Sequence, residues 1–484
     1  MEAPAVSHRH PSLATKLFYG FGSVAFGVKD NGFAFFLLLY YNQVLGLPER
    51  SVGLAIMSAL ILDAFFDPIV GYFSDHFRSR WGRRHPFMYF SALPVAASYV
   101  LLWNPPEGLS PNGLLTYLVV VAVIVRTMIA FYEIPSSSLV AELTNDYDDR
   151  TTILSYRYFF GWWGGLTMSI LAYGFFLQPD AEHATGVLNP NGYHTYGVVS
   201  SVVMAIAILI SAMGTHSYIP YLRQPTERPH GFVATYRELL ATFSNRSFIA
   251  LFCAAIFLAM AAGLIAALSI YFNTYFWEMT SNEMSVVVMG NFVSAAVAMV
   301  IAPRVSRHYG KKSGAIRTAL ALTIVAPVPV ALRLIGWFPQ NGSPALVPLL
   351  FVANMAAVTL IIVFSVMMSS MIADVVEDSE MTTGRRSEGT FFAANSFVQK
   401  AVSGIGVFLS TVLLSTIGFP SDAKPGSVDP QVVRTLGMVY VPFLIVVVVV
   451  VIAFLSRYRI SRAGHESNLR RLAERRAGVD TSDA

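Results

Sequence analysis

Long apolar stretches alternate along this chain with short polar connections, and twelve of the stretches are long enough for a helix to cross about 30 Å of hydrocarbon. They fall near residues 15–44, 51–75, 86–103, 112–142, 152–177, 195–220, 247–277, 283–303, 314–338, 344–373, 388–417 and 431–456. The pattern predicts an all-α membrane protein of twelve transmembrane helices, and an even number of crossings puts both termini on one side. The connections are of two kinds. One set carries Arg78, Arg80, Arg83 and Arg84; Arg223, Arg228 and Arg237; Arg304, Arg307, Lys311 and Lys312; Arg385 and Arg386; and a basic tail from Arg457. The other set, at 104–111, 178–194, 339–343 and 418–430, has Lys424 as its only Lys or Arg. The excess of positive charge on cytoplasmic loops then places the first set and both termini in the cytoplasm of a cell with the protein in its inner membrane.

The pattern also repeats. RSRWGRRHP (78–86) after the second span is echoed by VSRHYGKKS (305–313) after the eighth, and SLVAELTNDYDD (138–149) by SMIADVVEDSEM (370–381), at offsets of about 228 and 232 residues. Two echoes in register resemble the parallel six-plus-six pseudo-repeat of the major facilitator fold. The expected organisation is an N-terminal six-helix half over 1–220, a central cytoplasmic loop over 221–246, a C-terminal half over 247–456, and a basic cytoplasmic tail over 457–484.

Composition strengthens this picture and excludes others. Of 484 residues, 55% are apolar and 13% charged, against about 25% charged in an ordinary soluble protein, and the mean hydropathy is +0.56. The net charge of +4 sits in inter-helix loops, so it orients the protein and implies no nucleic-acid partner. A single cysteine, Cys253, forms no internal disulfide or metal cluster. The first apolar run carries Lys29 and Asp30 in its middle and no small-residue cleavage site, so it reads as a retained helix. Residues 462–477 read as a short basic amphipathic helix, solvated or resting on headgroups. No nucleophile–base set, phosphate-cradling loop or metal-ligand spacing appears, which argues against an enzyme and against a cofactor.

Ionisable residues inside spans are costly in hydrocarbon and face a bundle interior, which makes them functional candidates. They are Lys29 and Asp30 in the first span, Asp63 and Asp67 in the second, Arg126 and Glu133 in the fourth, Arg157 in the fifth and Lys400 in the eleventh. Asp63 and Asp67 stand at i and i+4 and so share one helix face. Two like charges there are tolerable if a cation sits between them or one carboxyl is protonated. The alternative is that each pairs with a basic residue such as Lys29 or Lys400. Pro68 removes the hydrogen bond to the Ala64 carbonyl, offering a further oxygen. Glu133 lies in FYEIPSSSL, where Pro135 and three serines suit a polar cavity wall; an ion pair with Arg126 or Arg157 is the structural alternative.

These segments resemble the glycoside-pentoside-hexuronide:cation symporters, the family of melibiose permease, over nearly the whole chain. The resemblance is carried by KLFYGFGSVAFGVKDNG, DAFFDPIVGYFSDHFRSRWGRRHPF, YEIPSSSLVAEL, SYRYFF, and ADVVED with NSFVQK. It implies a cation-coupled symporter in which Asp63 and Asp67 bind the coupling cation, Asp30, Glu133 and Arg157 contact sugar hydroxyls, and Lys400 lies close to both sites. It further implies a cytoplasmic lock in which Asp374 and Glu377 pair with Arg150, Arg304 or Arg386.

Departures from the family pattern fall on both sites. The fourth-span acid is usually aspartate and here is Glu133. The tryptophan expected four residues later is Ser137, so Trp162 or Trp163 is the candidate aromatic face. Two oxygen donors of the cation site are replaced by Phe66 and Ala130. Sodium needs several oxygen ligands whereas a proton needs one carboxyl, so H⁺ is expected in preference to Na⁺ at Asp63 and Asp67. The expected partners are a small solute of glycoside, sugar or uronide type, the coupling cation and membrane lipid, with the chain a monomer. A lysolipid-like solute and a non-transporting solute sensor are the alternatives.

Overall fold

A computed structural model describes residues 11–144, 147–221, 246–383, 388–420 and 423–458. Twelve long helical segments occupy the expected spans, and no strand occurs among the described residues. They are α1 (Leu13–Val44), α2 (Glu49–His76), α3 (His85–Trp103), α4 (Pro111–Leu143), α5 (Tyr147–Leu171, extended by Ala172–Phe176) and α6 (Pro190–His216). The remainder are α7 (Arg246–Tyr271, extended by Phe272–Phe276), α8 (Ser281–Tyr309), α9 (Lys311–Leu334), α10 (Leu346–Thr383), α11 (Glu388–Thr416) and α12 (Pro430–Ser456). Ten of these are apolar and long enough to cross a membrane by composition alone; α5 and α11 are the two outside that set.

Local chemistry explains the boundaries. Ser110 caps α4 by accepting from the Gly113 N–H, with Pro111 at the first helical position, and Asn189 with Pro190 starts α6 in the same way. Gly310 alone joins α8 to α9; its φ of 74° lies in the left-handed region that a side chain disfavours. The sequence places Asp374 and Glu377 after the tenth span, but α10 continues through both to Thr383.

The chain divides into two compact units. The first holds α1–α6 together with Gly263–Met289 and Gly404–Val433, that is, the ends of α7, α8, α11 and α12 away from the basic loops. The second holds residues 246–262, Gly290–Ser403 and α12 from Arg434 onward. Within the first unit α2 packs on α4, α3 on α4 and α6, and α1 on α5 and α6. In the second, α9 packs on α10.

Helix α1 is the most enclosed span. Its contact with α5 is backbone on backbone: a Cβ built on Gly27 would collide with the Gly161 carbonyl oxygen, and one on Gly165 would stand 2.6 Å from that of Gly27. Small residues at such positions let membrane helices approach closely. α1 also contains two π-helical stretches, Gly32–Phe36 just after Lys29–Asp30 and Tyr40–Val44 at its end. The end of α7, Phe272–Phe276, is π-helical too. The LYYN of 39–42 recurs as IYFN at 270–273, a further echo of the internal repeat that the sequence reading missed.

At these matching ends the first unit is tied by uncharged groups. The Tyr271 hydroxyl donates to Asn42 Oδ1 (2.7 Å) and the Tyr275 hydroxyl to Gln43 Oε1 (3.1 Å). Gln43 Nε2 donates to the Pro420 carbonyl (3.0 Å), while the Ala423 N–H donates to Gln43 Oε1 (3.0 Å). Tyr40, Trp103, Tyr193 and Tyr196 stack behind them in a buried aromatic core.

The glycine contact yields the first prediction. Gly27→Ala is expected to lower the melting temperature in detergent by several degrees, because backbone must move to admit the methyl. Gly71→Ala, whose Cβ would meet only the Ile134 side chain at 3.5 Å, is the control and should change stability by less than about 0.5 kcal/mol. Equal melting of both variants would remove the α1–α5 backbone contact as a constraint.

Candidate functional site

Of the eight ionisable residues expected inside spans, Lys29, Asp30, Asp63, Arg126 and Glu133 are linked by ion pairs between α1, α2 and α4 in the first unit. Asp67 is half-buried one turn beyond Asp63 on the unbroken helix α2, so the two carboxylates share a face as expected. Lys400 lies on α11 in the second unit.

The centre is a run of alternating charges. Arg126 Nη1 donates to Asp63 Oδ2 at 2.8 Å, and Arg126 Nη2 stands 3.9 Å from Asp30 Oδ1. Asp30 Oδ1 in turn forms an ion pair with Lys29 Nζ at 2.8 Å, and Lys29 Nζ stands 3.8 Å from Glu133 Oε2. The order is therefore Asp63, Arg126, Asp30, Lys29, Glu133. Burial along it is uneven: the side chains of Lys29, Arg126 and Asp63 are 1%, 4% and 1% exposed, but Glu133 is 20% and Asp30 54%. The buried members hold the run in place, and the two open carboxylates present acceptors. The Arg126 guanidinium also lies over the Phe33 ring, 4.7 Å from its centroid.

Arg157 lies beside this run, where Glu133 acts on it electrostatically. Its Nη1 donates to the Tyr19 hydroxyl (3.2 Å) and to Ser136 Oγ (3.3 Å), and its guanidinium lies over Phe26 at 4.9 Å. The Tyr19 hydroxyl donates to the Ser136 carbonyl at 2.9 Å. Tyr19, Phe26 and Phe33 are site residues that the sequence reading passed over, and Ser136 is one of the three serines that it placed in a polar cavity wall. The signal of the first three was present only as helical spacing from Lys29.

Asp63 pairs with Arg126 at 2.8 Å and Glu133 has Lys29 at 3.8 Å, while Glu133 also acts electrostatically on Arg157, one of the two cations that the sequence offered for it. Phe65 is 48% exposed, so it adds less to the dryness around Asp63 than its sequence position suggests. Ser137 is exposed and donates to the Ile134 carbonyl (2.8 Å). Trp162 and Trp163 are exposed on α5, with Trp163 stacked on Phe159 at 4.8 Å.

Of the residues expected to form a cytoplasmic lock, Asp374 and Arg304 are described. Asp374 is bound to Lys311 of α9 and accepts from the Tyr458 hydroxyl (3.3 Å), all within the second unit. Arg304 Nη1 donates to the Val300 carbonyl at 2.8 Å. Asp374 lies inside α10, which packs against α9. The side chains of Arg150 and Glu377, and all of Arg386, lie outside the described residues, as do most of the central loop and the basic tail.

Comparison with known proteins adds three kinds of likeness. The family described as MFS/sugar transport protein matches residues 18–462. An uncharacterised symporter of Synechocystis is 26% identical over 84% of this chain and 86% of its own length. The isoprimeverose transporter of Lactiplantibacillus pentosus is 25% identical (84% and 80%), and the sodium-dependent lysophosphatidylcholine symporter 1 of Gallus gallus is 24% identical (85% and 80%). Among solved structures, a point mutant of the nucleoside transporter NupG superimposes with a TM-score of 0.64 at 13% identity, over 92% of this chain and 99% of that one. This last likeness concerns the fold.

The uneven burial sets a stability prediction. Asp63→Asn leaves a buried guanidinium without its counter-charge and is expected to cost about 3–5 kcal/mol. Asp30→Asn, on a half-exposed carboxylate whose buried partner Lys29 keeps Glu133 at 3.8 Å, is expected to cost less, about 1–3 kcal/mol. The double variant Asp63→Leu with Arg126→Leu should regain most of the loss. Thermal unfolding of the purified variants checks the order, and an equal loss for Asp30→Asn and Asp63→Asn would contradict it.

Proposed function

The chain belongs to the MFS/sugar transport family, and from that premise we propose that it is a cation-coupled symporter of a glycoside, sugar or uronide, working by alternating access as a monomer in the inner membrane with both termini cytoplasmic. The observation that carries this reading is the alternating run of charges. Its buried end bears Asp63, with Asp67 one turn on, and its open end bears Asp30 and Glu133. A solute at the open end and a cation at the buried end are thereby connected through Arg126 and Lys29, which is what coupling requires.

The chemistry of each end supports the assignment. Asp30 and Glu133 offer carboxylate acceptors to hydroxyls, and Arg157 is a planar donor fork suited to hydroxyl or carboxylate oxygens. The seven candidate ionisable groups singled out in the spans of the first unit are four acids (Asp30, Asp63, Asp67, Glu133) and three bases (Lys29, Arg126, Arg157). When all are ionised, one added cation balances them. We assign that cation to the Asp63–Asp67 pair and identify it as H⁺ in preference to Na⁺, because Phe66 and Ala130 supply no oxygen to complete a sodium shell. A lysolipid-like solute is the second reading, supported by the lysophosphatidylcholine symporter among the relatives and by the serine at 137.

The test is uptake into proteoliposomes of labelled glycosides, uronides and lysolipids, with proton and sodium gradients imposed separately. Accumulation of a glycoside or uronide driven by a proton gradient in sodium-free buffer is the expected result. Glu133→Gln should weaken solute binding by about tenfold or more, the equivalent of about 1.4 kcal/mol, in protein that remains monodisperse. Uptake of lysolipid alone would favour the second reading, and solute binding with no uptake under any gradient would make the chain a sensor.

A further inference from the structure

We propose that Arg126 is a tethered cation that permanently fills the place on Asp63 where an exchangeable metal cation would sit, and that it thereby selects protons over sodium. The inference rests on the reading of Asp63 and Asp67 as the coupling-ion pair and explains how that pair is made selective.

The geometry is that of an occupied ligand rather than a peripheral bridge. Arg126 Nη1 meets Asp63 Oδ2 at 2.8 Å with both side chains almost fully buried. The guanidinium is braced on its other sides by the Phe33 ring at 4.7 Å and by Asp30 Oδ1 at 3.9 Å. Arg126 Nε is buried and makes no hydrogen bond among the described residues, so the group is held chiefly through its contacts with Asp63, Asp30 and Phe33. Three elements therefore fix it, α2, α1 and its own α4, with Lys29 and Glu133 as the next charges along.

Arginine is suited to this role because its charge is permanent in proteins and it is more weakly hydrated than an ammonium. Being attached, it competes at Asp63 with a high effective concentration that dilute sodium does not match. Sodium arriving at the pair would have to shed water, displace the guanidinium, and leave that guanidinium buried without its counter-charge, which is strongly unfavourable. A proton faces none of these demands, since it needs one carboxyl, and Asp67 stands one turn on. Arg126 occupies Oδ2 of the carboxylate, and Phe66, beside Asp67 on α2, brings no oxygen ligand.

The experiment uses the purified full-length chain and measures thermal stability in sodium chloride against choline chloride and potassium chloride at equal ionic strength. It needs no solute. Wild type is expected to melt at the same temperature in all three salts. Arg126→Ser and Arg126→Gln, with Asp63 released, are expected to melt lower in choline and to recover by several degrees in sodium, since a ligand that binds only the folded state stabilises it. Adding Asp63→Asn to either variant should abolish the sodium response, a result that a merely structural ion pair would not produce. Stabilisation of wild type by sodium, or the lack of any sodium gain in both Arg126 variants, would overturn the proposal. Failure of the transport reading is separable, because it would appear as absent uptake under every cation gradient while these melting shifts stand or fall by themselves.

Discussion

A guanidinium and an ammonium buried among membrane helices have to find counter-charges within a few ångströms, and the N-terminal unit is organised around that requirement. A lone charge at the centre of a bilayer costs at least about 2.5–3.5 kcal/mol. Lys29 and Arg126, almost fully enclosed, meet the requirement through Asp30, Asp63 and Glu133. Because the five groups come from α1, α2 and α4, the pairing fixes how those helices are rotated about their axes. The glycines at 27, 161 and 165 then let α5 close over α1, which carries Arg157 up to Tyr19 and Ser136. Charge pairing sets the rotation and small residues set the separation.

Much of this was legible in the sequence and some was not, for reasons that differ by residue. Apolar length located the spans because hydrocarbon thickness imposes it directly. The in-span acids and bases stood out because hydrocarbon penalises them. Their partners did not: Arg126 and Asp63 are 63 residues apart, and which of several cations faces a given carboxylate depends on helix rotation, to which residue spacing along one chain is blind. Glu133 illustrates the same limit, since spacing offered Arg126 and Arg157 as its cations and gave no sign of Lys29 of α1, which stands 3.8 Å away. Asp374 shows another kind of limit. Polar residues after a hydrophobic run read as a loop, yet α10 continues through them because Lys311 and Tyr458 supply the partners that a solvated loop would find in water.

The charge run also gives physical content to coupling. A hydroxyl or carboxylate that binds at Asp30 or Glu133 alters what Lys29 and Arg126 have to neutralise, and the change is passed on to Asp63. Lys29 and Arg126 are almost fully enclosed, so the influence that passes through them is little screened. The π-helical turn at Gly32–Phe36, directly after Lys29–Asp30, sits where α1 would have to adjust for these charges to re-pair, and such turns recur at functional positions in helices.

The tie between the ends of α1 and α7 is built on a different principle. Tyr271, Tyr275, Asn42 and Gln43 bind each other and nearby backbone without a single formal charge. Amide and phenol groups of this kind neither titrate near neutral pH nor weaken as ionic strength rises. On the proposed topology these ends lie at the outer face, where a cell first meets acid, dilute or saline surroundings, and the fastening there is indifferent to all three. Sensitivity to ions is kept for the interior, so that the chain responds to the cation it carries and not to the weather outside.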